Sequence, residues 1–337
     1  MKDIFKNKSI LITGGTGSFG QAFTKIILKN YKPKKIIIFS RGEAKQSEMA
    51  SKYPQNRYKC LRYFIGDVRD LERLRIAMRG VDYVVHAAAM KQVPASEYNP
   101  IECIKTNITG AQNVIISSME NRIKKVLALS TDKAVSPINL YGATKLVSDK
   151  LFISANNLSG NQGPIFSVVR YGNVYGSTGS VVEIFKKIIN TKEPFPITSA
   201  KMTRFFLTLE NGVNFVIESF SRMLGGEIFI PKLFSIKITD LAKCLDPERP
   251  LKIIGLRPGE KIHEVMTSKD DNRSLIEFKN YYNLVSSSVY KNLNKFLFNK
   301  NREMGKFVKE NFEFSSEKNK FLNDKEIKKM IKNDMNF

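Results

Sequence analysis

Apolar residues along the chain gather in short, nearly continuous runs: Ser9 to Thr13, Lys35 to Ser40, Tyr63 to Gly66, Tyr83 to Ala87, Val126 to Ser130 and Phe166 to Arg170. Runs rich in Val and Ile that do not alternate with polar residues mark strands covered on both faces, since each face then needs an apolar side chain. The segments between them are of helix length. The pattern predicts an α/β fold with a doubly wound parallel sheet and right-handed crossovers over residues 1–172. After Gly172 the rhythm loosens, and turn-forming stretches at Gly176-Ser177-Thr178-Gly179, Glu193-Pro194-Phe195-Pro196 and Leu256-Arg257-Pro258-Gly259 separate shorter elements. A smaller α/β substrate lobe is expected from 173–204 and 233–337, with 205–232 returning to complete the first domain. The Lys-, Asn- and Glu-rich end of the chain reads as a lightly packed helical tail.

Composition changes this picture little. The 337 residues can bury a sizeable core, and 42% hydrophobic with 26% charged residues are globular values. No apolar run is long enough to span a bilayer, so no membrane insertion is expected. The few residues before Ile10 leave no room for a secretory signal, and a cytoplasmic location follows as an expectation. Cys60, Cys103 and Cys244 are far apart with no CxxC pair, which predicts neither disulfides nor zinc. His86 and His263 are the only histidines, too few and too isolated for a metal site; both read as structural. The net charge of +23 suits anionic ligands, and the scattered lysines read as a solvated surface rather than a nucleic-acid footprint.

Candidate chemistry begins at Thr13-Gly14-Gly15-Thr16-Gly17-Ser18-Phe19-Gly20, which follows the first strand and opens a helix. Glycines at 14, 17 and 20 let the backbone turn, approach a pyrophosphate and pack helix on strand, while the helix N-terminus supplies N–H donors. A dinucleotide-binding Rossmann sheet is predicted, with Gly14, Thr16, Gly17, Ser18, Phe19 and Gly20 on the cofactor. The second strand ends in Ser40-Arg41, with Lys45 beyond. A hydroxyl and two cations where an acidic residue would hold a 2′-hydroxyl favour NADP, and Glu43 keeps NAD open. Asp67 and Val68 either contact the adenine edge or, for Asp67, cap the helix starting near Leu71. Ala87 begins a small-residue floor under the cofactor, and Lys91 beyond it suits a phosphate or a substrate hydroxyl.

Tyr141 and Lys145 form a YxxxK pair on one helical face, where the ammonium is expected to lower the tyrosine pKa and make the phenol a base; both also face the cofactor. Thr131, at the end of the fifth run, completes a Thr/Tyr/Lys set.

With these residues in view, the chain resembles the extended short-chain dehydrogenase/reductases that act on nucleotide sugars. The resemblance rests on TGGTGSFG at 13–20, GDVRD at 66–70, HAAA at 86–89, STDKA at 130–134, NLYGATK at 139–145, RYGNVYGS at 170–177 and RPGEK at 257–261. Within that family it is most similar to inverting UDP-N-acetylglucosamine 4,6-dehydratases of pseudaminic acid synthesis, whose product decorates flagellins. The resemblance implies a homo-oligomer, a dimer or a hexamer. It also implies that Asp132 protonates the departing carbon 6 hydroxyl and that Lys133 removes the carbon 5 proton, where retaining relatives carry Glu. A neutral amine must do that work, so a desolvated Lys133 with lowered pKa is expected; a surface lysine in a strand-end loop is the plainer reading. On the substrate side the resemblance points to Asn173 for the diphosphate region and, in lining stretches, Val182 and Thr198. Arg204 and Arg257 are candidates for gripping UDP because a guanidinium binds phosphate bidentately, and Glu260 for the uridine ribose.

Rival readings stay within reach. A retaining dehydratase or a UDP-sugar 4-epimerase would use the same Thr/Tyr/Lys set, and an epimerase needs neither Asp132 nor Lys133. An NADP-binding regulatory module on nucleic acid would not need Thr131, Tyr141 and Lys145 together.

Overall fold

The protein is described by a computed structural model covering residues 3–160, 162–176, 179–286 and 293–334. Ser177 and Thr178 of the expected turn lie outside the described residues.

The six runs are six parallel strands: β1 (Ser9–Thr13), β2 (Lys35–Ser40), β3 (Leu61–Ile65), β4 (Tyr83–His86), β5 (Lys125–Thr131) and β6 (Ile165–Tyr171). Their spatial order is β3-β2-β1-β4-β5-β6. The chain winds outward from β1 through β2 to β3, then crosses back to β4 on the other side of β1. That reversal opens a crevice at the carboxyl ends of β1 and β4. Strands β1 and β2 are buried along nearly their whole length, as continuous apolar runs require. β3 is the edge strand and only part-buried, so its first residues, Leu61 and Arg62, did not read as an apolar run.

The sheet does not stop at β6. Glu227–Pro231 pairs parallel with β6, and Tyr281–Val285, Leu275–Glu277 and Lys306–Phe307 then add antiparallel, giving ten strands among the described residues. Residues expected in the substrate lobe, from 275 to 307, therefore widen the cofactor sheet. These strands are short and partly polar, and pairing partners from distant sequence are needed to make them strands at all.

The second lobe holds a three-stranded sheet of Asn173–Val174, Thr203–Leu207 and Phe234–Lys237, and the pair Phe195–Ile197 with Leu251–Ile253. Its apolar cores centre on Tyr175, Phe206 and Ile236, and on Phe185, Phe195 and Ile197. The tail is anchored rather than loose: Ile327 and Ile331 of the helix Asp324–Asp334 are buried in the first of these cores, and Phe314–Ser315 pairs with Val265–Thr267. No helix among the described residues is long and apolar enough to cross a membrane.

Candidate active site

A cleft of about 1370 Å³ runs along the carboxyl ends of the strands and between the lobes. On its first wall, Gly14, Thr16, Gly17, Ser18 and Phe19 line the cleft. Gly20 does not. It faces Gly15, whose carbonyl a Cβ would strike, so it serves helix packing rather than ligand contact. The helix Ser18–Asn30 has Gly17 at its N-cap and no side-chain cap, which leaves its first amides to an anionic ligand.

Beneath this turn, Thr13 Oγ1 accepts from the amides of Ala87 and Ala88 at 3.1 and 3.2 Å. Its own proton is left for His86 Nδ1, 2.9 Å away, so the ring carries its proton on Nε2. Burial, with Lys145 nearby, pushes His86 down to about 3. It is a neutral strut between β1 and β4.

At the end of β2, the Ser40 hydroxyl accepts from Gln46 Nε2 at 3.0 Å, and Arg41 and Lys45 line the cleft. Glu43 begins a helix and is not among the lining residues. Asp67 is not the helix cap; Asp70 is, accepting from Arg73 N at 2.9 Å. Asp67 instead pairs with Arg69 at 2.7 Å and lies 3.8 Å from Arg41. Burial opposes its charge, but Arg69 and Arg41 hold it below the usual carboxylate range. Val68, Ala87 and Lys91 line the cleft; burial, partly offset by Glu183, lowers the Lys91 ammonium.

The second wall begins where β5 ends at Thr131 and turns through Asp132–Ala134 into the helix Leu140–Ser159. Asn139 caps that helix by accepting from Gly142 N at 2.8 Å. Gly142 lets the helix lie against the turn, because a Cβ there would collide with the Lys133 carbonyl. That approach brings Tyr141 to Thr131 and Lys133. Burial, with Asp132 and Asp149, pushes the Tyr141 phenol up to about 12. The largest opposing influences are Lys133 and the Thr131 hydroxyl. Lys145 is itself lowered by burial, with Asp149 working against that. The expected lowering of Tyr141 by Lys145 is thus replaced by a contest that burial wins.

Asp132 is fully buried, and its Oδ1 accepts from Thr131 Oγ1 at 2.9 Å and Lys133 Nζ at 3.1 Å. Its Oδ2 has no protein partner. Lys133 Nζ lies 3.0 Å from Glu264 Oε1 as well. Burial alone would lower this lysine, but Asp132 and Glu264 together hold it above its ordinary value. The neutral amine expected from the sequence is therefore an ammonium between two carboxylates. Glu264 was missed: it stands three residues beyond Lys261, and nothing in the sequence says that it reaches Lys133.

On the substrate side, Asn173, Thr198, Arg257 and Glu260 line the cleft. Asn173 Oδ1 is buried without a protein partner. Arg257 pairs with Glu260, and that partner holds the Glu260 carboxyl down against the effect of burial. Arg204 also lines the cleft, but its guanidinium donates to the carbonyls of Thr203, Ile262 and Lys261 at 2.7 to 3.0 Å. It is a buried brace for the 261–262 loop and not a free phosphate fork. Val182 is wholly buried in the core beside Tyr175, and its neighbour Val181 lines the cleft instead. His263 is structural, with Nδ1 2.8 Å from Thr203 Oγ1.

A sheet reversing at β1 and β4, a glycine turn opening a helix there, and Thr131, Tyr141 and Lys145 gathered on the facing wall define the extended short-chain dehydrogenase/reductase fold. The family described as polysaccharide biosynthesis protein matches residues 10–286. A UDP-N-acetylglucosamine 4,6-dehydratase (inverting) of Campylobacter jejuni subsp. jejuni is 58% identical over 97% of this chain and 98% of its own. A UDP-glucose 4-epimerase of Rickettsia massiliae is 37% identical over 97% of this chain and 96% of its own. Among solved structures, Pen from Bacillus thuringiensis superposes with a TM-score of 0.87 at 34% identity, covering 99% of each chain. The chain belongs to the polysaccharide biosynthesis protein family.

Proposed function

We propose that this chain is an NADP-dependent UDP-N-acetylglucosamine 4,6-dehydratase that inverts carbon 5. The observation that carries the reading is the Asp132–Lys133 turn beside Tyr141. Burying an ammonium with two acids carries a desolvation penalty, and an epimerase has no use for either Asp132 or Lys133. The 58% identity to an inverting dehydratase supports it.

The cofactor wall fits a phosphorylated dinucleotide. The uncapped amides at Ser18–Asn30 and the turn from Gly14 suit the pyrophosphate, and Ser40, Arg41 and Lys45 suit a 2′-phosphate. When bound, NADP supplies a hydride acceptor for sugar carbon 4 and a hydride donor for carbon 6. Tyr141 reacts as the phenolate, its own proton given up to solvent and the charge favoured by the Lys133 ammonium against burial, and its Oη takes the proton of the carbon 4 hydroxyl. Lys133 passes one proton across its 3.1 Å hydrogen bond to Asp132, which leaves a neutral amine and a protonated acid. The amine then removes the carbon 5 proton, made acidic by the 4-keto group, and Asp132 gives its proton to the departing carbon 6 hydroxyl. Both groups return to their starting charges. A solvent proton then enters carbon 5 on the opposite face while Tyr141 releases to solvent the proton it took, which gives UDP-2-acetamido-2,6-dideoxy-β-L-arabino-hex-4-ulose, the first intermediate toward pseudaminic acid. Arg257, Asn173 and Thr198 hold the UDP end.

The second reading, a 4-epimerase, has the 37% identical relative in its favour. The test is to incubate the protein with UDP-N-acetylglucosamine and NADP in heavy water and follow proton NMR. An L-configured 4-keto-6-deoxy product with deuterium at carbon 5 is expected. A D-configured product would make the enzyme retaining, and a 4-epimer formed without loss of water would make it an epimerase.

A further inference from the structure

We propose that Glu264 is a positioning residue for the elimination step: it fixes the Lys133 amine, and its carboxylate balances the ammonium formed when carbon 5 loses its proton. The inference rests on the dehydratase reading above. Glu264 is 1% exposed, and its Oε1 lies 3.0 Å from Lys133 Nζ, while Asp132 holds the same nitrogen from the other side. An ammonium has three donors, so two acids leave one direction, and the 24% exposure of Lys133 turns it toward the cleft it lines.

The two acids are not equivalent. Both line the cleft, and each has an oxygen without a protein partner, Asp132 Oδ2 and Glu264 Oε2, but Asp132 is bonded to Thr131 while Glu264 faces Arg204. A second cation faces Glu264, with Arg204 Nε 3.8 Å from the same Oε1. Among the described residues, the other ionisable groups facing Lys133 are Lys261, whose Nζ is tied to the Val135 carbonyl at 2.6 Å, and the Tyr141 phenol. Through the cycle the proton moves between Lys133 and Asp132 while Glu264 and Arg204 remain an ion pair. Charge is thus balanced at each stage of a buried reaction.

The backbone of Glu264 is also clamped. Its N–H donates to Ser316 Oγ at 2.9 Å, and its carbonyl accepts from Ser316 N at 2.8 Å. Ser316 Oγ lies 2.7 Å from Thr203 Oγ1 in turn. The C-terminal segment therefore seats the carboxylate that seats the lysine.

The pH profile separates this role from plain packing. Activity requires one proton shared by Lys133 and Asp132, so it is lost at high pH as that proton leaves. Removing the neighbouring negative charge makes it leave sooner. For Glu264→Gln the alkaline limb of kcat should move down by about one pH unit or more, with kcat falling roughly 10- to 100-fold and KM for UDP-N-acetylglucosamine little changed. Glu264→Asp should keep the limb in place with a smaller loss of rate. The same shift should be read without substrate, as the pH at which Lys133 becomes reactive to an amine-acylating reagent, mapped by peptide mass spectrometry. That measurement stands even if the wild-type chain does not turn over this substrate, which would sink the dehydratase reading alone. Unchanged Lys133 reactivity and an unchanged alkaline limb in Glu264→Gln would overturn the proposal. Should that variant fail to fold, an alkaline limb displaced as far in the folded Glu264→Asp protein would overturn it equally.

Discussion

The wall of the cleft formed by β1, β2 and β4 is built around backbone amides and small groups, much of it from one strand-turn-helix, with Arg41, Lys45, Asp67 and Lys91 about them. The facing wall presents ionised side chains, and they arrive from three distant stretches: Asp132 and Lys133, Arg204, and Glu264. The first wall is pre-formed by hydrogen bonds between neutral groups, such as Thr13 to His86. The second is held by opposed charges that a single proton transfer rearranges. A wall of the first kind can hold a cofactor rigidly, because amides at a helix end need no reorganisation to meet a phosphate. A wall of the second kind can do acid–base chemistry, because its groups have protons to exchange and are too buried for water to take them.

Tyr141 stands where the walls meet, and its loss should have the largest effect. Tyr141→Phe removes the only proton acceptor proposed for the carbon 4 hydroxyl and leaves the packing of the ring in place. kcat should fall about 10²- to 10⁴-fold, with NADP affinity and thermal midpoint near wild type. A fall smaller than roughly tenfold in steady-state assays would mean that another group takes that proton, and the division between a holding wall and a reacting wall would lose its hinge.

The difference between the walls is also the difference between what sequence shows and what it hides. β1 and β2 begin and end where their apolar runs do, and Gly14 with Thr16 to Phe19 line the cleft, because a glycine turn and a helix start fix geometry within a few neighbours. Tyr141 and Lys145 were legible for the same reason. Lys133 was legible as a residue but not as a charge state, since that depends on Glu264, brought in by the second lobe. Arg204 has the chemistry of a phosphate clamp, and only the nearby carbonyls of 203, 261 and 262 reveal that it is spent. Val182 failed on helical phase: one residue turns about 100° around a helix, so Val181 faces the cleft and Val182 the core.

The cofactor wall can be probed at an exposed cation just beyond β2. Arg41 is 59% exposed on its side chain and touches Asp67 only at 3.8 Å, so Arg41→Ala should leave stability nearly unchanged. If it meets a 2′-phosphate, a charge-assisted hydrogen bond of about 1.5–3 kcal/mol is lost, which weakens NADP roughly 10- to 100-fold. NAD binding should not move. Fluorescence titration of both cofactors reads the difference, and equal weakening of the two would remove Arg41 from the 2′-position.

The smallest effect expected belongs to the neutral strut under the glycine turn. His86 titrates near 6.5 when unfolded but is held down to about 3 in the folded chain, chiefly by burial. Below pH 6.5 the unfolded chain therefore binds a proton that the folded one refuses. Stability must fall as pH drops from 6.5 toward 3, by about 2 kcal/mol between pH 7 and pH 5. His86→Gln keeps a polar partner for Thr13 but has nothing to titrate, so its urea midpoint should fall less over that interval than wild type's. The comparison of slopes matters, not the absolute midpoints, because the substitution also alters packing against Phe152. If both proteins lose the same stability between pH 7 and pH 5, the acid sensitivity lies in the carboxylates of the reacting wall, and the cofactor wall is indifferent to pH.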